Sequence, residues 1–539
     1  MRTLLLYAGL IGLVWSGGGP LGRAAEAAKI VPPSDVLLRC HFAGLNQLLA
    51  DPKAAKLKQI WALPSSADLK RQAFDQLARV PFLMLSNQLP KNSPSQTNLL
   101  RPLLEDVLSG ESFLEWRGPV GQPGEFVFGL VLGEERARLW SANLQKALEE
   151  WKLGNVAATP GKQMGEGWVL KHRDGLSAFA FARVGGWVVI GWGPESLPSH
   201  AQLVQRIKAE GRPGPQLTGD WLAAEANLER LKPWLPPLGV YAHPPLAHLT
   251  MSNRAEYVRT SMTLEFPGGH GWKNEPWTVP TALIRDPLIS FTAVQGIAPL
   301  LGAWKIFQKL GFSPQPNQVF FWANSSIPFL SHFAAPMSDA GKQLARVAPL
   351  LPSLLLSNGP VKIPGNIGWD TNFHAVVWKG LPIAPQLRAV KDRQSEYLVG
   401  SLFLPYVSTN PAPAELFKAI QGRTNLVYYD WETTGPRLQQ WCPYYQLTDI
   451  ATGRTFAGTN APTQCWLMAI MPLLGNSVTE ITASSPTQMT LVRNAHCGFT
   501  GFELVSFTRW LDSPEFPKLS VVGQPKPVRP AKPSQPKQR

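Results

Sequence analysis

Fifty-one prolines are spread through the 539 residues of this chain, nearly twice the usual share of about 5%. Each fixes φ and withholds a backbone donor, so it interrupts a long helix or a central strand wherever it falls. Such a chain folds into many short elements joined by rigid turns. Twenty tryptophans and a charged fraction of 16% point to a molecule that relies on apolar packing more than on surface ion pairs. Apolar residues make up 44%, enough for a full core. The length exceeds what one ordinary core serves, so two or three domains are expected.

The N-terminus has the layout of a cleavable export signal. Met1-Arg2-Thr3 gives a positive start, residues 4–15 form an apolar run, and small residues follow to Ala25-Glu26-Ala27. Cleavage is expected after Ala27. The run is shorter than the roughly 20 residues that span a bilayer, and no later stretch reaches that length. The mature protein is therefore expected to be periplasmic or extracellular, with no transmembrane segment after signal cleavage. Export permits disulfides. Of Cys40, Cys442, Cys465 and Cys497, the most local pair, Cys442 with Cys465, is the expected bond; four buried thiols are the alternative.

The net charge of +14 is diffuse except in residues 524–539, which hold five Lys and Arg among prolines. That tail reads as disordered and suits an anionic envelope polymer. With no dense basic run elsewhere, a specific nucleic-acid partner is not expected. An envelope protein or polymer is.

Periodicity sets the organisation. Leu69, Ala73, Phe74, Leu77 and Val80 form one helical stripe, and residues 134–151 make a strong amphipathic helix. Strands at 168–172, 176–184 and 187–192 are joined by Asp174-Gly175 and Gly185-Gly186, the dipeptides of antiparallel hairpins. The breaker cluster at 211–215, G-R-P-G-P, marks the domain boundary. Beyond it the same alternation of paired strands and helices recurs. The expected fold class is α+β, with two lobes built on antiparallel sheets with packed helices. The divisions are 1–27 signal peptide, 28–212 N-terminal lobe, 213–522 C-terminal lobe and 523–539 basic tail.

Familiar catalytic motifs are missing. A Gly-x-Gly-x-x-Gly match, Gly17 to Gly22, falls inside the signal, and no phosphate loop, His-Glu-x-x-His, Gly-x-Ser-x-Gly or Cys-x-x-Cys occurs. The one stretch that gathers acids and aromatics is residues 424–432, T-N-L-V-Y-Y-D-W-E. As a strand it puts Tyr428, Asp430 and Glu432 on one face, the two carboxylates about 6.6 Å apart. Repulsion between them would raise one pKa towards that of a general acid, and Trp431 would offer a sugar platform. Asp430-Trp431-Glu432 resembles the end of the signature strand of family-18 chitinases, with Glu432 in the acid's place. Asn425, Leu426, Val427 and Tyr428 depart from that family's earlier Asp and Gly residues. His243 and His248 stand five apart with His270 in a loop nearby in sequence, but the pair lacks a third ligand at ordinary metal spacing, and no cofactor is expected. Trp272, Trp277, Trp304 and Trp322 either fill the core or line a groove.

Residues 423–441, R-T-N-L-V-Y-Y-D-W-E-T-T-G-P-R-L-Q-Q-W, and 474–510, together with the signal, resemble uncharacterised exported bacterial proteins of the domain-of-unknown-function type. The resemblance implies export and a two-lobed fold, and brings no activity. The expected function is an exported, non-catalytic envelope protein with a binding, structural or assembly role. Two alternatives stay open. A glycan-active hydrolase would place its paired carboxylates in an open cleft. A carrier of apolar ligands would have a Trp- and Leu-lined cavity between the lobes.

Overall fold

The computed structural model describes residues 35–517 apart from 87, 120–123, 159–165, 174, 235–242, 325–329, 357–364, 381–383, 404–407, 452–457, 459 and 515. The expected signal peptide, 1–27, and tail, 523–539, lie outside the described residues. Among the described residues no helix is long and apolar enough to cross a membrane.

Strand β1 (Val36–Phe42) is followed by short helices, the longest being α1 (Pro64–Leu77), and then by β2 (Ser112–Arg117) and β3 (Glu125–Val131). Helix α2 (Glu134–Glu150) leads into a meander of β4 (Gly154–Ala158), β5 (Glu166–His172), β6 (Ser177–Val184) and β7 (Trp187–Pro194). Helix α3 (Pro198–Glu210) returns the chain to β8 (Leu222–Asn227), β9 (Leu246–Arg254) and β10 (Tyr257–Glu265). On α2 the helical spacing of Ala137, Trp140, Ala147 and Leu148 buries one stripe against the sheet.

The second half follows the same plan. It runs β11 (Leu288–Gln295), β12 (Gln318–Asn324), β13 (Ser331–Pro336), helices α4 (Ala340–Val347) and α5 (Leu351–Leu356), then β14 (Asn366–Asp370), β15 (Ala375–Lys379), β16 (Gln386–Asp392) and β17 (Ser395–Ser401). Helix α6 (Ala414–Lys418) precedes β18 (Leu426–Thr433). Helices α7 (Thr434–Ala451) and α8 (Pro462–Ile470) are inserted before β19 (Asn476–Ser485) and β20 (Gln488–Ala495), and α9 (Gly501–Leu511) follows.

All twenty strands belong to one sheet. The pairings of the first half give the order β4-β5-β6-β7-β3-β2-β1-β8-β9-β10. Those of the second give β14-β15-β16-β17-β13-β12-β11-β18-β19-β20. Each strand of the first half has its counterpart ten strands later in the same place, every pair antiparallel. The halves join where β10 runs against β20, Val258 opposite Ala495 and Glu265 opposite Gln488. This is one topology used twice.

The two-lobed α+β architecture is therefore present, but the repeat divides in the 266–287 connection rather than at 212. The breaker cluster does something more local. Gly211, at φ 73, ends α3 in the left-handed conformation that a glycine adopts without strain, and the chain passes on to β8 within the same lobe.

Each lobe carries helices on both sheet faces. In the N-terminal lobe α3 covers Phe113, Val127, Ala182 and Val189 with Leu203, Val204 and Ile207, while α2 covers the opposite face. In the C-terminal lobe α6 supplies Leu416 and Phe417 to a cluster with Phe291, Phe320 and Trp322, while α4 packs Leu344 and Val347 with Val376 and Leu398. The lobes are also joined through helices. Ile60 packs with Leu438, Leu467 and Leu504, Leu69 and Val80 pack with Trp510 and Leu511, and Trp466 Nε1 donates to Ser66 Oγ at 3.0 Å.

Candidate functional site

Alternation on β18 does put Tyr428, Asp430 and Glu432 on one face, and the structure brings all three together. They lie on a polar patch beside α7 and α9 in which Glu432 is buried and Tyr428 and Asp430 are half-buried. Asp430 sits in a cross-strand row that runs Thr292, Asp430, Thr479, Arg493, Thr260 over β11, β18, β19, β20 and β10. Thr292 Oγ1 donates to Asp430 at 2.6 Å. Glu432 is 4% exposed and accepts the Gly501 backbone N–H at 2.7 Å, at the first turn of α9. Arg493 donates to Thr479 Oγ1 at 2.9 Å and to both oxygens of Glu503 at 2.9 and 2.8 Å. Glu503 also closes the capping box of α9 with Thr500.

Burial dominates the electrostatics. It pushes Glu432 up to about 7, with the neighbouring Asp430 charge adding to it, and it raises Asp430 and Tyr428 as well. Burial lowers Arg437 against the pull of Glu432 and Asp430. Arg493 is desolvated too, yet Glu503 raises it. Glu432 ties the first turn of α9 to the sheet, and Asp430 is bonded across strands to Thr292.

The repeat shows what this patch replaced. By register, the row Cys40, Ala224, Leu249, Met262 in the first lobe corresponds to Thr292, Asp430, Thr479, Arg493 in the second. The first is ordinary apolar core. On the opposite face the exchange is reversed. Arg39 and Glu115 are bonded at 2.8 Å, and their counterparts, Phe291 and Trp322, are core aromatics.

Other expected groups are dispersed. All four cysteines are free thiols, so the Cys442–Cys465 bond is not made. Cys40 and Cys497 are pushed up to about 12 by burial, whereas Cys465 is exposed. His243 and His248 are exposed, and His270 is 5% exposed, with Ser485 O and the Trp272 N–H as its partners. Trp322 is in the C-terminal core, Trp277 packs against that core, Trp272 packs in the N-terminal lobe, and Trp304 is half exposed. Trp272 thus packs in a different cluster from Trp277 and Trp322.

The cavity that stands out was not legible in the sequence. It measures about 310 Å³ in the C-terminal lobe. Its floor continues the cross-strand row of Asp430 on the other side of Thr292: Phe321, Phe333, Gly400, Leu387 and Val376 on β12, β13, β17, β16 and β15. Leu351 of α5, Ile367 and Trp378 complete the apolar wall. Among the described residues no acid or Lys/Arg lines it, and His332 at its edge is lowered to about 4 by burial, then by Arg388, so it is neutral.

Again the repeat explains the space. The N-terminal row is Leu114, Phe128, Ile190, Phe181 and Trp168, all packed into the core. Gly400 stands in place of Ile190, and Val376 in place of Trp168. The helical cover is of similar length in the two lobes: α4 runs on through a 3-10 turn, Ala348–Leu350, into α5, so it spans residues 340–356, against the 17 residues of α2. The smaller floor residues leave the pocket. A related apolar cavity of about 190 Å³ remains under α2, lined by Leu144, Leu148, Trp151, Leu170, Phe179 and Trp192. Each pocket lies within a lobe, not between the two. The signal that would have found the larger one is Phe321, 45% exposed on a strand whose alternate residues are core.

Compared with protein-family models and with curated proteins, the chain matches none.

Proposed function

We propose that this is an exported, non-catalytic binding protein that holds a small, uncharged apolar molecule in the pocket of its C-terminal lobe. The observation that carries this is the loss of large floor residues, Gly400 for Ile190 and Val376 for Trp168, at one place in an otherwise repeated fold. Exposing that apolar surface forfeits burial worth about 25 cal/mol per Å², a cost that binding of an apolar ligand offsets. The volume falls at the lower end of the roughly 300–1,000 Å³ usual for small-molecule sites, and the neutral wall favours an uncharged occupant. The burial of Glu432 and its bond to the Gly501 N–H support binding over hydrolysis.

Titration with the neutral fluorophore N-phenyl-1-naphthylamine tests it. Saturable binding is expected to the wild-type protein and to be lost in Leu387→Trp, which fills the floor. Absence of saturable binding, or equal binding by a folded Leu387→Trp protein, overturns the proposal.

A further inference from the structure

A second cavity, of about 350 Å³, lies on the N-terminal lobe and is lined by Arg39, Phe113, Arg206, Glu210, Arg212, Gly214 and Pro215. It stands on a different lobe and a different sheet face from the apolar pocket, and nothing below depends on that pocket. We propose that it is a receptor for a phosphate-type oxyanion, a phosphoryl or sulfuryl group carried on a larger molecule.

Three guanidinium groups face one carboxylate in this wall, and the carboxylate, Glu210, is exposed. Two of the arginines are held in position from behind. Glu115, 1% exposed, accepts from Arg39 Nε at 2.8 Å, lies 3.7 Å from Arg206 Nη1 and also pairs with Arg117. One buried carboxylate shared among three arginines orients them, and Arg117 is further paired with Asp35 at 3.0 Å. Arg39 has a further partner in Glu225 at 3.1 Å, and Arg206 Nη1 donates to Pro213 O at 2.6 Å. That leaves N–H groups of both free for a ligand. Arg212 has no hydrogen bond or ion pair among the described residues. The pocket is kept open by the backbone: a Cβ on Gly214 would stand 2.9 Å from the Phe113 ring.

The chemistry follows from the donors. A guanidinium fork matches two oxygens at once. One fork satisfies a carboxylate; converging forks suit a group with three or four oxygens. The second lobe has nothing equivalent, since Phe291 and Trp322 occupy the places of Arg39 and Glu115.

Calorimetry on the full chain, with inorganic phosphate, glucose 6-phosphate, glucose 6-sulfate and acetate in turn, tests this. Phosphate and at least one ester are expected to bind saturably, and acetate at least 10-fold more weakly. Which ester binds tighter identifies the source as phosphorylated or sulfated. Arg212→Ala and Arg212→Lys are both expected to weaken phosphate at least 10-fold, because a lysine keeps the charge and loses the fork. Glu210→Gln is expected to tighten it. Equal binding of acetate, or an Arg212→Lys protein that binds like wild type, would show a diffuse basic surface and overturn the assignment, as would no binding at all.

Discussion

Gly400 lies directly opposite Phe333 across β17 and β13, so close that a Cβ at 400 would stand 2.0 Å from the ring. The ring occupies space that a side chain at 400 would claim, and its position shapes the floor of the pocket. Gly400→Ala must therefore move Phe333. Overpacking of this kind costs roughly 1–3 kcal/mol, so a lower denaturation midpoint together with weaker binding of N-phenyl-1-naphthylamine is expected. Unchanged stability and affinity would mean that the ring moves freely and does not form the floor.

The pair Arg493–Glu503 is buried on both sides, at 8% and 4% side-chain exposure. Arg493→Met leaves the buried Glu503 with its Thr500 N–H bond and no countercharge, which typically costs about 3–5 kcal/mol. Converting both, to Met and Leu, is expected to recover much of that loss. Denaturant unfolding of the single and double variants measures the difference. A single variant within 1 kcal/mol of wild type, on the scale of an exposed pair, would contradict the burial of this cluster.

Glu432 contributes a pH dependence with a definite sign. Its folded pKa of about 7 lies above its ordinary 4.5, so the native state holds the proton more tightly than the unfolded one. The stability this gives is complete below about pH 4.5 and is lost as pH rises towards 7. His200 and His332, both lowered to about 4 chiefly by burial, act oppositely, losing stability as pH falls from 6.5 towards 4. Comparison with Glu432→Gln separates the two effects. The variant's stability relative to wild type is expected to rise across pH 4.5–7, by on the order of 3 kcal/mol at 1.36 kcal/mol per unit. A constant difference across that range would show that Glu432 is already ionised when buried.

Thiol chemistry follows burial. Cys40 and Cys497, pushed up to about 12, are expected to resist iodoacetamide at pH 8 in the folded protein, because the thiolate is the reactive form. Cys465, which is exposed, should alkylate first, and all four should react after unfolding. Mass spectrometry of the native protein without reductant reads the same point from the other side: a mass lower by one disulfide would restore the Cys442–Cys465 pairing.

Local patterning carried most of the elements. The Gly185-Gly186 hairpin, the strand at 424–432 and the amphipathic helix at 134–151 occur as β6–β7, β18 and α2. The duplication was legible only as repeated grammar. Its proof lies in strand order, and pairs such as β3–β7 or β1–β8 join residues far apart in sequence. The face shared by Tyr428, Asp430 and Glu432 follows from alternation; its burial does not, since the helices that cover it come from residues 434–451 and 501–511. The pocket was least legible. Its floor needs five strands in register, and its cause, Gly400 where the first lobe has Ile190, shows only when the lobes are laid over one another.

The central claim is that the C-terminal lobe holds a neutral apolar ligand. The most direct measurement is anomalous diffraction from crystals soaked in 2-bromonaphthalene. The account predicts a bromine peak between Phe333, Val376 and Trp378. A peak only in the smaller cavity beside Trp192, or none at either site, would contradict it.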